Sequence, residues 1–187
     1  ASGRREILLL AGIAAAQAGR LQEARDLLAH PVLAEDAEGG LWRAVLDGRE
    51  RHWPRAAAGF RAAAGLLARY PDELAGTLWL EAARAHLEAG NLPAAAAALD
   101  FADLAAADPA RRPAYDLLRA RLDERSGRTN QALAAFDRLR QADDRKAAAE
   151  ATLRGTSLAV RTAGLDREEA LHRLEVLAVT WRGDAIE

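Results

Sequence analysis

A short glycine turn comes back along this chain at equal steps, and that regularity constrains the fold more than any other feature. Glu88-Ala89-Gly90-Asn91-Leu92, Arg125-Ser126-Gly127-Arg128-Thr129 and Thr162-Ala163-Gly164-Leu165-Asp166 are evenly spaced, and an earlier copy stands at Gln17-Ala18-Gly19-Arg20-Leu21. Glycine ends a helix where the backbone must turn left-handed, and each glycine is followed by a residue able to cap the next helix. A fixed period in a sequence means a chain assembled from one supersecondary unit used several times.

Around each turn the pattern is helical. About five positions after it comes a small residue, and four later a large apolar one: Ala24 with Leu28, Ala56 with Phe60, Ala95 with Leu99, Ala132 with Phe136, and Ala170 with Leu174. Residues at i and i+4 share one face of a helix. The preceding helices carry stripes of their own, such as Leu8, Gly12 and Ala15, or Tyr115, Leu118 and Leu122. Two facing stripes make a helical hairpin. Aromatic residues are 5% of the chain and alanine is abundant, so the core must rest on close backbone approach, which helices permit and sheets do not reward. Helices are expected over 4–18, 20–30, 38–50, 53–69, 72–89, 92–107, 111–126, 129–142, 145–163 and 166–181. The segment from Pro31 to Gly40, with Glu35, Asp36 and Glu38, reads as the longest loop.

These residues resemble the tetratricopeptide repeat (TPR) family. The first copy matches with Gly12, Gly19, Ala24 and Leu28, the third with Trp79, Gly90, Ala95 and Leu99, and the fourth with Gly127, Ala132 and Phe136. The second copy departs by showing Glu50-Arg51-His52-Trp53-Pro54 where a turn glycine is expected, and the fifth has an extra residue before Ala170. The closing prolines are met only loosely, by Pro71 and Pro109. The resemblance spans the chain and implies an all-α, right-handed superhelical solenoid of about five antiparallel helix pairs, forming one domain over 1–187. The irregular outer copies fit terminal units with altered packing.

Composition narrows the function. A formal net charge of -2 and a pI near 6.2 leave no electrostatic footprint for nucleic acid or an anionic membrane. The apolar run from Ile7 to Ala18 is too short to span a bilayer and passes straight into another helical pattern, unlike a signal peptide. There is no cysteine, which excludes disulfides and thiolate chemistry but leaves the compartment open. Lys146 is the only lysine beside many arginines, a composition of high-GC bacterial genomes. The start Ala1-Ser2-Gly3, the absence of methionine and the end at Glu187 read as an excised or processed piece of a longer protein. Localisation stays open between cytoplasm and periplasm, and a likeness to long repeat-containing envelope proteins of arginine-rich bacteria favours the periplasm.

No catalytic constellation is visible, and the expectation is a protein that is not an enzyme and needs no metal or other cofactor. His30, His52, His86 and His172 fall in different hairpins. His172 has Glu168, Glu169 and Glu175 within a turn, as any solvated helix of this composition would. HExxH, P-loop, GxGxxG and GxSxG patterns are absent. Asp143-Asp144 and Glu168-Glu169 are adjacent pairs whose members point apart, and they read as charges favouring a helix N-terminus. Arg182-Gly183-Asp184 spells an adhesion tripeptide with nothing else to support that role.

The resemblance implies a concave groove, lined by the first helix of each pair, that accepts a peptide or a partner protein. Anchored on the turn glycines, its residues are Leu80, Arg84 and Leu87 in the third pair, Leu117, Arg121 and Arg125 in the fourth, and Arg154, Leu158 and Arg161 in the fifth. Such a cationic wall suits an acidic peptide or a C-terminal carboxylate, because guanidinium grips carboxylates with two bonds. Two alternatives stay open. The arginines can be only a solvated face, or Tyr115, Leu118 and Leu122 can form the packed stripe, so that the fourth pair presents Asp116, Asp123 and Glu124. A separate function is self-association of a structural array, for which Trp181 is the candidate surface.

Overall fold

The computed structural model describes residues 2–103, 108–162 and 164–182, and among them every regular element is a helix. The chain divides into two compact units, Ala1–Ala105 and Ala106–Glu187.

The first unit holds α1 (Ser2–Gln17), α2 (Leu21–Leu28), α3 (Ala37–Arg49), α4 (Trp53–Ala62), α5 (Ala64–Leu67), α6 (Asp72–Glu88) and α7 (Leu92–Asp103). Three antiparallel hairpins, α1/α2, α3/α4 and α6/α7, follow one another. Helix α3 packs on both α1 and α2, and α6 packs on both α3 and α4. The second unit holds α8 (Arg112–Arg125), α9 (Thr129–Leu139), α10 (Arg145–Arg161) and α11 (Arg167–Thr180). Its hairpins are α8/α9 and α10/α11, with α10 resting on α9 and α8.

The alanine and large-apolar pairs form the seams. Ala24, Leu28, Ala56, Phe60, Ala95, Leu99, Ala132 and Phe136 are all buried, and a fully buried leucine or phenylalanine contributes about 1.5–3 kcal/mol over an exposed one. Small partners allow this depth. A Cβ added to Gly12 would stand 2.7 Å from Leu28 Cγ, and one on Gly59 would stand 2.6 Å from the Cβ of Ala44. In the fifth pair Ala170 is buried but Leu174 is only half-buried.

The turns obey one geometry with an informative exception. Gly19, Gly90 and Gly127 have φ of 74, 78 and 75°, and the following residue, Arg20, Asn91 or Arg128, donates its N–H back to Ala15, His86 or Asp123. Arg51 takes the glycine's place in the second copy, at φ 62°, and His52 N–H donates to Asp47. Gly164 is not left-handed, contrary to the sequence expectation. Its own N–H makes the closing bond, to Ala159, so it stands one place later than the other glycines, and Leu165 then precedes Asp166, the N-cap of α11. The expectation that each residue after a glycine caps the next helix is corrected as well. Asn91 caps, accepting from Ala94 N–H at 3.2 Å. Arg20 and Arg128 instead turn their guanidinium groups to Glu23 and Asp123.

Two stretches differ from the expected boundaries. The helix expected over 53–69 breaks at Ala63, whose φ and ψ of −92 and 2° close α4 before α5 begins. The expected loop holds a 3-10 turn, Pro31–Leu33, and the start of α3, because the Asp36 carboxylate accepts Gly39 N–H at 2.8 Å and caps that helix. Arg43 fastens the loop by donating to the carbonyls of Leu28 and Leu33 at 2.9 and 3.0 Å. The end of the helix expected over 92–107 lies outside the described residues, as do Gly183 and Asp184 of the adhesion tripeptide.

Candidate partner-binding surface

The predicted groove residues are three in the first unit and six in the second. On α6, Leu80 and Arg84 are half-buried and Leu87 is buried. The Arg84 guanidinium lies 5.5 Å over the Trp53 ring, a cation–π contact between α6 and the start of α4.

In the second unit both helical stripes of α8 are buried: Tyr115, Leu118 and Leu122 on one, Leu117 and Arg121 on the other. Leu158 on α10 is buried too, and joins Leu117, Ala120, Ala132, Phe136 and Ala151 in one apolar cluster. Arg121 is 3% exposed, so it cannot offer its charge to the solvent. It meets Glu150 of α10 at 3.4 Å, and Arg154 donates to the same carboxylate at 2.7 Å. One turn beyond Arg121, Glu124 accepts from Arg161 of α10 at 2.6 Å. Arg125 is exposed. The first-helix face of this unit is therefore a ladder of charges crossing from α8 to α10, with glutamates set among the predicted arginines. The alternative residues Asp116 and Asp123 are held by Arg112 and Arg128, at 3.0 and 2.7 Å.

Glu150 was missing from the predicted residues, and Glu124 stood only in the alternative set with Asp116 and Asp123. Their signal is visible in the sequence only as Glu150 four residues before Arg154, a favourable ion-pair spacing on a helix. The cross-helix contacts depend on hairpin packing. A cleft of about 760 Å³ in this unit was also unforeseen; Arg112, Arg119, Arg138 and Asp116 line it with Pro109 and Pro113.

The histidines do not converge. His30 accepts Val32 N–H at 3.2 Å, His172 is exposed, and His86 is buried with Nδ1 unpaired. Burial, aided by Arg61, pushes the His86 pKa below the ordinary histidine value, so it sits neutral in the core. His52 joins Asp47 and Glu50 in the one metal-type cluster found among the described residues. Arg25 fills the space between those carboxylates, 3.1 Å from Asp47 and 2.5 Å from Glu50, so the cluster is an ion network tying α2 to the end of α3. The guanidinium pKa is raised by these bonds, led by Glu50.

Among the described residues no helix is long and apolar enough to cross a membrane. Compared with known protein families, with curated proteins and with solved structures, the chain has no match.

Proposed function

We propose that this chain is a TPR-like solenoid that acts as a scaffold, holding a partner protein or an acidic peptide on the face made by the first helices of its hairpins. It is not an enzyme. The observation that supports the ligand chemistry is the charge ladder between α8 and α10, where Arg154 and Arg161 already bind carboxylates. An acidic peptide, or a chain end, gains access by taking the place of Glu124 at the Arg161 rung. An ion pair whose arginine is this exposed contributes about 0.2–1 kcal/mol, and the exchange conserves it. The internal glutamate keeps the arginine ordered until a stronger carboxylate arrives.

Calorimetric titration of an acidic peptide tests this. Arg161→Glu is expected to weaken binding about tenfold or more, or ~1.4 kcal/mol. Glu124→Gln removes the internal competitor and is expected to strengthen it. Added salt should weaken binding to the parent protein. Equal affinity for all three proteins would sink the proposal. Arg121 is unsuitable as a probe, since it is buried and replacing it removes one of the two cations that face the buried Glu150.

A further inference from the structure

The second unit holds a smaller cleft, of about 290 Å³, among α9, α10 and α11. Asp137 and Arg140 reach it from the end of α9, Thr156 and Ala159 from α10, and Arg173 from α11, while Leu133 adds an apolar wall. None of these residues belongs to the charge ladder between α8 and α10.

Thr156 is the residue that packing alone does not explain. Counted back from the residue whose N–H closes each turn, it stands where Gly12, Ala44, Ala83 and Ala120 stand in the other first helices. Those four are buried, and so is Thr156, at 2% exposure. A position that elsewhere carries a methyl group or nothing here carries a hydroxyl. Threonine within a helix can donate to the carbonyl four residues back, as Thr152 does to Ala148 at 2.8 Å and Thr162 to Leu158 at 3.0 Å. The Thr156 Oγ1 makes no such bond and meets no other partner among the described residues. A buried hydroxyl left in that state is costly, and few folds keep one without a use for it.

The two arginines beside it sit deeper than the carboxylates they pair with. Arg140 is 28% exposed against 68% for Asp137, 3.4 Å away, and Arg173 is 32% exposed against 44% for Glu169, to which it donates at 2.7 Å. A guanidinium has five N–H donors, and one contact with an outlying carboxylate leaves most of them for a ligand. Two guanidinium groups and a hydroxyl, brought from three helices, suit an anion with oxygens on several sides. A tetrahedral phosphate has that shape and a planar carboxylate does not.

We infer that this cleft binds a phosphomonoester, with its phosphate among Arg140, Arg173 and the Thr156 hydroxyl and its carbon stem against Leu133 and Ala159. The inference stands on the cleft and is independent of the peptide reading.

Calorimetric titration of phenyl phosphate in a phosphate-free, low-salt buffer tests it. The wild type is expected to show a single saturable site. Arg173→Gln and Thr156→Val should each weaken binding by about tenfold or more, while Thr156→Ser, which keeps the hydroxyl, should stay near the parent. Arg161→Glu, which disables the ladder, should leave the affinity unchanged. Benzoate presents the same ring on a carboxylate and should bind by about tenfold more weakly. Without ligand, Thr156→Val should melt at the temperature of the parent or above it, since the lost hydroxyl had no partner in the fold. Far-UV circular dichroism checks that the variants fold, and Arg140→Gln replaces either weakened variant that does not. A wild type that fails to bind phenyl phosphate overturns the inference. So does an affinity unchanged by Arg173→Gln or Thr156→Val, binding lost with Arg161→Glu, or benzoate that binds as tightly. A Thr156→Val protein that melts well below the parent gives the hydroxyl a structural role and overturns it as well.

Discussion

Helices α9 and α11 read almost alike and are buried very differently. Each opens with a short polar turn, then sets alanine four residues before a large apolar side chain: Ala132 and Phe136 in α9, Ala170 and Leu174 in α11. Phe136 is wholly buried, while Leu174 is half-buried and the outward-facing Leu171 is exposed. The difference lies outside both helices. Helix α10 covers α9, and no described helix does the same for α11. The pattern in a second helix thus prepares two faces, one for its own hairpin partner and one for the hairpin that follows.

Substitutions can break or sharpen that contrast. Phe136→Ala empties the covered seam and is expected to lower the stability of the second unit by about 3–5 kcal/mol, measured by urea denaturation. A loss under 1 kcal/mol would mean that α10 does not seal this site. Gly59→Ala probes the same kind of close seam inside a hairpin, where the Ala44 Cβ cannot swing away. Its expected loss is about 1–3 kcal/mol. Leu174→Ala, in the half-covered position, should cost about 1–2 kcal/mol, clearly less than Phe136→Ala. Equal losses at Phe136 and Leu174 would erase the distinction between the two helices.

Two smaller effects separate the turns and the units. Arg51→Gly places glycine where the other turns have it, and should stabilise the first unit by up to about 1 kcal/mol through relief of left-handed strain. Acidification should act on the first unit through His86. The folded pKa lies below the ordinary value of 6.5, so the unfolded chain takes up the proton first. Stability is then fully present above pH 6.5 and falls as the pH drops below it. A His86→Gln protein should show a flatter pH profile in that window, and an unchanged profile would remove His86 as its source.

Much of the local order could be read without coordinates. The residues Ala24, Ala56, Ala95 and Ala132 and their apolar partners were identified from spacing alone, because a buried helical face must repeat at i and i+4 whatever it packs against. The turns were found for a similar reason, since few residues tolerate a left-handed backbone. Gly164 escaped because a glycine marks a turn without saying which residue of it turns left. The second turn was located between Glu50 and Pro54, but its left-handed residue was not, because an arginine with positive φ has no sequence signature. For the groove, spacing indicated which face of α8 carries Leu117 and Arg121, but both stripes of that helix proved buried. A helix pressed from two sides has no period that tells inside from outside.

Helical class, hairpin seams and the places where the chain reverses are local properties, set by the few dihedral and packing choices each short segment has, and the sequence by itself determined them. Only the tertiary structure decided what each charge faces. Arg121, Arg154 and Arg161 are indistinguishable as letters from solvated arginines. Arg154 finds its glutamate four residues away on its own helix, but Arg121 and Arg161 acquire theirs only because packing α10 beside α8 brings Glu150 to the first and Glu124 to the second, and the separation between two helices is specified by no interval along a sequence.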